Sequence, residues 1–279
     1  MAATIEETHE PSATSETPPC PNCGATLAGD YCHQCGQKKI HPNEFSVRRF
    51  LGRLFTEFID LESNKIIKTL RVMILKPGLL AREYLAGRRS TYIGPVKLYL
   101  TFSAIYFLFA WGALGDIRGG GAERAARNPR TVAEARRRGV DPRVLADKAY
   151  EKAEKYASAL RFSSVLVSGL FLSLLYVRMK KYYVEHLIFS LYYYSFDFFS
   201  KSAFALLFIV IAAVGWKLPS RVLDSFYVIG FIYILFALRR VYQQSWKMTL
   251  LKAFTLYLLE TILFIAVNIA GFIIAFNMV

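Results

Sequence analysis

Cysteine and charge are both scarce in this sequence. It has 4 Cys among 279 residues, too few to staple a chain of this length, which excludes a disulfide-rich secreted miniprotein. Charged residues make up 20% of the chain and hydrophobic residues 54%, which excludes a protein that is disordered over most of its length. The classes that remain are an unusually apolar soluble fold and a membrane protein.

Several familiar catalytic patterns are absent as well. The sequence has no G-x-x-x-x-G-K-[ST], no G-x-S-x-G and no H-E-x-x-H, and no G-x-G-x-x-G that opens a helix after a strand. The sequence therefore lacks the motifs of nucleotide hydrolases, serine hydrolases and zinc proteases. We expect a protein that is not an enzyme, and an intramembrane enzyme is the alternative.

Acidic residues are outnumbered by basic ones, 21 against 35, which gives a net charge of +14. This surplus predicts an anionic partner, either nucleic acid or an anionic membrane surface. The sequence has no interleaved aromatic RNA-binding motif and no recognition helix, which disfavours nucleic acid. Its 22 Phe and 17 Tyr and a mean hydropathy of +0.30 favour the lipid bilayer, with anionic headgroups as the partner.

The chain divides into four segments. Residues 1–19 are polar and predict a disordered arm without the features of a signal peptide, so we expect a cytoplasmic N-terminus. The four cysteines lie in residues 20–40, which predict a small zinc-binding unit. Residues 41–94 predict an amphipathic helical segment at the cytoplasmic side, and residues 95–279 an all-α transmembrane bundle.

Within the amphipathic segment, apolar residues recur at helical spacing from Phe45 to Ile74. Such a helix either lies in the headgroup layer or packs on the cytoplasmic ends of the spans. The sequence Lys76-Pro77-Gly78 predicts the end of this helix, because proline disfavours helical geometry in the preceding residue and glycine favours a cap.

Five apolar runs predict spans in the bundle, since about 20 apolar residues cross a bilayer core. They cover residues 95–114, 162–177, 187–214, 223–238 and 250–276. Their uneven lengths leave open a four-span bundle with one re-entrant or interfacial piece. The charged loop 116–161 predicts one or two exposed helices, hinged at Gly139 and Pro142.

Basic residues in the short connections predict an inside N-terminus and an outside C-terminus, although the arginines of loop 116–161 count against that orientation. The residues expected inside are Arg178, Lys180, Lys181, Arg239, Arg240 and Lys247.

The cysteines form the pattern C-x2-C-x8-C-x2-C, at Cys20, Cys23, Cys32 and Cys35. Two thiolates spaced in this way grip one tetrahedral Zn²⁺, and four sulfurs close its coordination sphere, so we expect one structural zinc per chain. Glycine follows each pair and is expected to take positive φ, which turns backbone N–H groups toward the sulfurs. The alternative is four free or disulfide-bonded cysteines.

Three charged residues interrupt the apolar runs, namely Asp197, Lys201 and Glu260. Asp197 and Lys201 are i,i+4 partners, and the two carboxylates are expected at similar depth on helices that run the same way. Charged side chains inside a bilayer often have a functional role. Here they predict a polar path in a transporter or a lipid-handling protein. The alternatives are a neutralising pair that locks helix packing, or a later start of the third span that leaves Asp197 at the headgroups.

Basic residues also precede the first predicted span. Arg82, Arg88 and Arg89 beside tyrosines predict contacts with lipid phosphates, and ordinary positive-inside anchoring is the alternative. His186 is expected to be an interfacial anchor, with a proton relay as the alternative.

The order of several motifs resembles a known family. The cysteine segment ending in CGQ is followed by KPGLLAREYLAGRRSTYIGPVKLYLTFSAIYFL, YYVEHLIFSLYYYSF and LRRVYQQSWKMTLLK. This order resembles the bacterial membrane family of DUF3667 domain proteins. The resemblance implies a zinc-ribbon-like head on a polytopic membrane body and supplies no activity. We therefore expect a bacterial inner-membrane protein whose cytoplasmic head docks or regulates a protein partner.

Overall fold

The computed structural model describes residues 19–27, 29–39, 63–113, 123, 125–214 and 220–278. The predicted N-terminal arm and the first part of the amphipathic segment lie outside these residues. Apart from two isolated β-bridges in the cysteine segment, the elements of the described part are helical. The main helices are α1 (Ser63–Leu75), α2 (Leu79–Leu85), α3 (Pro95–Ala113), α4 (Pro129–Arg138), α5 (Pro142–Leu175), α6 (Tyr183–Ala213), α7 (Ser220–Tyr242) and α8 (Trp246–Met278).

Helix α1 ends immediately before Lys76-Pro77-Gly78, as the sequence predicts. Gly78 has φ 76, and a Cβ on it would lie 2.7 Å from the carbonyl oxygen of Ala237. Arg240 donates from Nη1 to the carbonyl oxygen of Pro77 at 2.5 Å. The turn between α1 and α2 is thus packed directly against the last turns of α7, and this contact has no space for a side chain.

The charged loop and the second predicted span are not separate elements. Asn128 and Asp141 cap α4 and α5 respectively, and Gly139 ends α4 with φ 66, so the predicted hinge is present. Helix α5 then continues without interruption across the boundary expected at residue 162. The stretch after Pro142 is rich in Ala, Glu and Lys, which are strong helix formers, and nothing there stops the helix.

Two helices are long and apolar enough to cross a membrane, over Tyr183–Ile211 and Trp246–Gly271. The apolar parts of α3 and α5 are shorter, Pro95–Leu108 and Phe162–Leu175. The helices α6, α7 and α8 all begin earlier than the predicted spans, by three or four residues in each case. The number of five spans stays a prediction.

The helices form one bundle. Helix α3 packs against α6, α5 packs against both α6 and α8, and α7 packs against α8. Aromatic side chains fill much of the core, and Tyr99 lies in ring contact with Phe162 and Phe198. The short helix α2 contacts both α6 and α7, so the segment before the first apolar helix belongs to the body of the protein.

The end of α5, the end of α7, the start of α8 and the turn at Gly78 lie at the same end of the bundle. Met179, after α5, accepts a hydrogen bond on its sulfur from Gln244, between α7 and α8, at 3.7 Å. Arg240 reaches Pro77 at this same end. The basic residues of the short connections therefore share an end with the segment that follows the cysteines.

Candidate metal centre

The four predicted ligands lie together. The sulfur atoms of Cys20, Cys23, Cys32 and Cys35 are all within 4.8 Å of one another. Cys23 and Cys32 are separated by 3.5 Å, and Cys20 and Cys35 by 3.7 Å. A disulfide requires about 2.05 Å, whereas four sulfurs about 2.3 Å from one tetrahedral metal ion lie about 3.8 Å apart. The cluster matches a metal site, and all four cysteines are free thiols.

Each cysteine pair forms the same tight turn. The backbone N–H of Cys20 donates to Ala25 O at 2.7 Å, and the N–H of Cys32 donates to Gln37 O at 2.8 Å. Gly24 and Gly36 close the turns with φ 80 and φ 69, which confirms the prediction of positive φ at both. Ala25 and Gln37 are therefore equivalent positions in two copies of one motif. We call these turns the cysteine knuckles, residues 19–26 and 31–38.

The backbone N–H groups of Ala25 and Gln37 donate hydrogen bonds to cysteine sulfurs and lower their pKa. Burial raises the pKa of Cys35, but hydrogen bonds from the backbone of Gln37 and the side chain of Asn22 bring it down to about 6. The pKa of Cys23 is raised to about 12, because burial and the neighbouring thiols outweigh the N–H of Ala25. Because thiols bind metal as thiolates, metal binding at this site displaces protons.

The second knuckle is fastened to the helical body by Gln37. Its buried side chain donates from Nε2 to the carbonyl oxygen of Gly87 at 2.7 Å. Its Oε1 accepts from the backbone N–H groups of Arg89 at 2.9 Å and Ser90 at 3.3 Å. Both ends of the amide are satisfied by one loop, residues 86–94, which leads from α2 into α3. We call this segment the entrance loop.

The first knuckle contacts the same loop. Thr91 donates from its hydroxyl to Asn22 Oδ1 at 2.8 Å. The entrance loop is in turn held by the bundle, because the N–H of Ile93 donates to the Thr69 hydroxyl on α1 and its carbonyl accepts from the Tyr192 hydroxyl on α6. A continuous set of hydrogen bonds therefore joins the cysteine knuckles to helices α1 and α6.

Three arginines are predicted to contact lipid phosphates. Arg88 and Arg89 belong to the entrance loop, and Arg82 lies in helix α2 just before it. Arg88 forms two hydrogen bonds with the carboxylate of Glu83, and this partner lowers the pKa of Glu83. The guanidinium of Arg89 lies 4.7 Å from the centre of the Tyr84 ring. Arg88 and Arg89 thus have partners within the protein, and lipid contact by Arg82, Arg88 and Arg89 stays a prediction.

The structure pairs two of the predicted intramembrane charges. Lys201 donates from Nζ to Asp197 Oδ2 at 2.6 Å along one face of α6. Glu260 on α8 is not part of this ion pair, and its Oε2 accepts a short hydrogen bond from the Tyr194 hydroxyl. Its other oxygen, Oε1, is buried without a hydrogen-bond partner. Asp197 and Lys201 are nevertheless close enough to act on Glu260 electrostatically.

His186 occupies a different environment from the one expected. It is buried, its Nδ1 lies 2.7 Å from the Tyr242 hydroxyl, and its ring stacks with Tyr176 and Tyr242. An interfacial anchor needs access to the headgroups, so this histidine instead packs the end of the bundle. The stack is extended by Lys252, whose Nζ lies 3.9 Å from the centre of the Tyr176 ring.

Sequence reasoning missed the roles of Gln37 and Tyr194. Gln37 follows the second cysteine pair as the last letter of CGQ, and its partners are 50 to 53 residues away along the chain. Tyr194 is one of three consecutive tyrosines, and periodicity alone does not say which of them meets Glu260. The difference between Ala25 and Gln37 in otherwise equal knuckles is the signal that points to Gln37.

Comparison with known proteins gives one match, to a protein family, over one segment of the chain. Neither a curated protein nor a solved structure matches the chain. Residues 63–107 match the family described as "Protein of unknown function (DUF3667)", which confirms the resemblance over helices α1 and α2, the entrance loop and most of α3. The cysteine knuckles dock onto this matched segment, which is the part of the chain that the DUF3667 model covers.

Proposed function

We propose that this chain is a multi-pass membrane protein whose four-cysteine head binds zinc and is clasped onto the entrance loop, where it serves as a docking or regulatory head. The observation that carries the proposal is the buried Gln37 side chain, which is part of a knuckle and is hydrogen-bonded to Gly87, Arg89 and Ser90. Folding of the knuckle and order of the entrance loop are therefore coupled.

Membrane placement is supported by the exposed apolar surface of the long helices. Only 17% of the apolar window of α8 and 29% of that of α6 is buried within the protein. The core helix of a soluble protein would be mostly buried, because exposed apolar surface costs about 25 cal/mol per Å² in water. Helix α8 instead exposes large side chains along most of its length, including Leu251, Phe254, Ile262, Ile265, Ile269 and Ile273.

Zinc is the metal that we assign to the head. Four thiolates in tetrahedral arrangement select zinc or iron, and a closed sphere of four sulfurs is typical of structural zinc. Thiols that remain reduced fit a cytoplasmic location. A structural ion here would hold Cys32 and Cys35 in the turn that presents Gln37 to the entrance loop.

We further propose that the head lies on the cytoplasmic side of a bacterial inner membrane. The head docks at the end of the bundle that carries the basic short connections, and such residues favour the cytoplasm. Arg82, Arg88 and Arg89 at this end support a partnership with anionic headgroups. The outward side of the knuckles, where Tyr31 and His33 are exposed, is available to a protein partner.

Metal analysis and a topology reporter test this proposal. We expect about one zinc per chain in purified protein, and less in Cys23→Ala. A periplasm-active reporter fused after Arg130 should be active, because that residue follows the first apolar helix. Absence of metal after expression with ample zinc would contradict the head, and a silent reporter would contradict the orientation.

A second candidate function is favoured by the buried carboxyl group of Glu260. A transporter or lipid-handling protein needs polar groups within the bilayer, and an unpartnered carboxyl oxygen between helices meets that need.

A further inference from the structure

The carboxyl group of Glu260 lies among three helices. Its Oε2 accepts a hydrogen bond from Tyr194 on α6, and Ser168 on α5 is a second polar side chain that interacts with the carboxyl group. The Ser190 hydroxyl lies 3.3 Å from that of Ser168 and continues the polar cluster. Four hydroxyl or carboxyl groups therefore meet between α5, α6 and α8.

One oxygen of this carboxyl group lacks a partner. Oε1 is buried, and no donor within the described residues forms a hydrogen bond with it. An ionised carboxylate has capacity for about four hydrogen bonds, and burying it with few of them filled is costly. The hydroxyl groups of Tyr194 and Ser168 act on the carboxyl group, but Oε1 itself has no hydrogen bond to offset its burial.

Among the described residues, the cation that acts on Glu260 is Lys201, which also pairs with Asp197. The charged groups that act on it are Asp197 and Lys201, and these are joined to each other at 2.6 Å. Tyr193, Tyr194 and Tyr257 are the titratable hydroxyls near the cluster, and none of them supplies positive charge. With Glu260 ionised, the group carries two carboxylates and one ammonium, whereas with Glu260 protonated its charges balance.

We propose that Glu260 is a proton-binding site between α5, α6 and α8, with the proton carried on the carboxyl oxygen that lacks a donor. The protonated carboxyl group keeps Oε2 as the acceptor of the Tyr194 hydroxyl and carries its proton on Oε1, which has no donor among the described residues. Release of the proton leaves the carboxylate held by Tyr194. The ligand of this site is a proton. Glu260 would therefore bind and release protons within the helical bundle.

Labelling with dicyclohexylcarbodiimide tests the site, because this apolar reagent adds to protonated carboxyl groups. The full-length protein is solubilised in detergent, labelled between about pH 6 and pH 9, and mapped by mass spectrometry. We expect label on Glu260, with more than about tenfold loss across this range, since the protonated fraction falls tenfold per pH unit above the midpoint. Asp197, whose carboxylate pairs with Lys201 Nζ, is the comparison carboxyl group in the same protein.

Two variants separate a proton site from a merely reactive residue. Glu260→Gln should lose the label, and Tyr194→Phe should retain it to higher pH, because removing this donor destabilises the ionised form. Melting temperature and elution profile establish that each variant is folded, and Glu260→Met, which also lacks a carboxyl group, replaces the glutamine variant if that one does not fold.

The outcomes that overturn the proposal are specific. They are no label on Glu260 in folded protein, label that does not change with pH, or protection by sodium ions at constant pH, which would assign a cation site instead. The inference rests on the membrane placement proposed above. Absence of label in folded protein contradicts the proton site alone, whereas the topology reporter tests membrane placement separately.

Discussion

Gln37 donates from its side-chain amide to the carbonyl oxygen of Gly87 at 2.7 Å, and this bond joins a cysteine knuckle to the loop that leads into α3. The two residues are 50 positions apart, and the segment between them includes helices α1 and α2. The contact makes the cysteine head part of the body of the protein at the point where the first apolar helix begins.

Replacing Gln37 by alanine should release the entrance loop and leave the metal in place. The equivalent residue of the first knuckle is Ala25, so the turn itself does not need a glutamine side chain. Loss of one buried and two partly buried hydrogen bonds leaves donors and acceptors unsatisfied, at up to about 1–3 kcal/mol for each buried unsatisfied group. Hydrogen exchange of residues 86–94 should rise while the metal content stays constant.

The chain offers a matched control for that variant. Gln34 is the same residue type in the same knuckle, and its side chain is exposed. Gln34→Ala should leave both exchange and metal content unchanged. Equal exchange in the two variants would show that the Gln37 contact does not hold the loop.

Gly78→Ala should destabilise the protein more than Gly139→Ala does. Both glycines have positive φ, which costs a residue with a Cβ about 1–2 kcal/mol. Only at Gly78 does the added Cβ meet the backbone of Ala237, whereas nothing lies within 4 Å at Gly139. The melting temperature in detergent measures the difference, and similar losses in the two variants would contradict the tight contact between the α1–α2 turn and α7.

Removing Lys201 alone should cost more stability than removing both members of its ion pair. Lys201→Met strands the Asp197 carboxylate, whereas the double change with Asp197→Leu leaves no charge behind. A fully buried pair loses about 3–5 kcal/mol when one partner is removed. Because the Lys201 side chain is 40% exposed, we expect a smaller loss, read as melting temperature. Small, equal effects would place both side chains at the headgroups.

The Glu83–Arg88 pair should make stability depend on pH in the acid range. Arg88 lowers the pKa of Glu83 below its ordinary value of 4.5. The contribution is therefore complete above about pH 4.5 and is lost as the pH falls through the lowered pKa of the folded state. The difference in melting temperature between the wild-type protein and Glu83→Gln should shrink on acidification. Acid also affects the metal site, but it does so equally in both proteins, so this effect cancels in the difference between their melting temperatures. A difference that stays constant with pH would contradict a contribution from the Glu83–Arg88 pair.

Local patterns predicted the parts of this protein that depend on neighbouring residues. The cysteine spacing predicted the sulfur cluster, Gly24 and Gly36 the two turns, and Lys76-Pro77-Gly78 the end of α1. The pairing of Asp197 with Lys201 also follows from helical spacing, because the partners are four residues apart.

Contacts between distant segments were not predictable in this way. Gln37 and Glu260 meet residues 50 and 66 positions away, and a single sequence carries no signal for such a pairing. The second apolar run begins at residue 162 as predicted, but the start of its helix was not predicted, because a helix can extend well beyond its apolar part. Helix α5 begins at Pro142, far before its apolar part, because helix-forming residues continue through the charged stretch.

We propose that metal in the head orders the entrance loop. The most direct test compares hydrogen exchange of residues 86–94 in zinc-loaded protein, in chelated protein and in Cys23→Ala, with α8 as the internal reference. We predict that metal loss unfolds the knuckles and raises exchange in this loop to the level of Gln37→Ala, while α8 stays protected. An entrance loop equally protected with and without metal, in protein shown to have lost its zinc, would contradict the account.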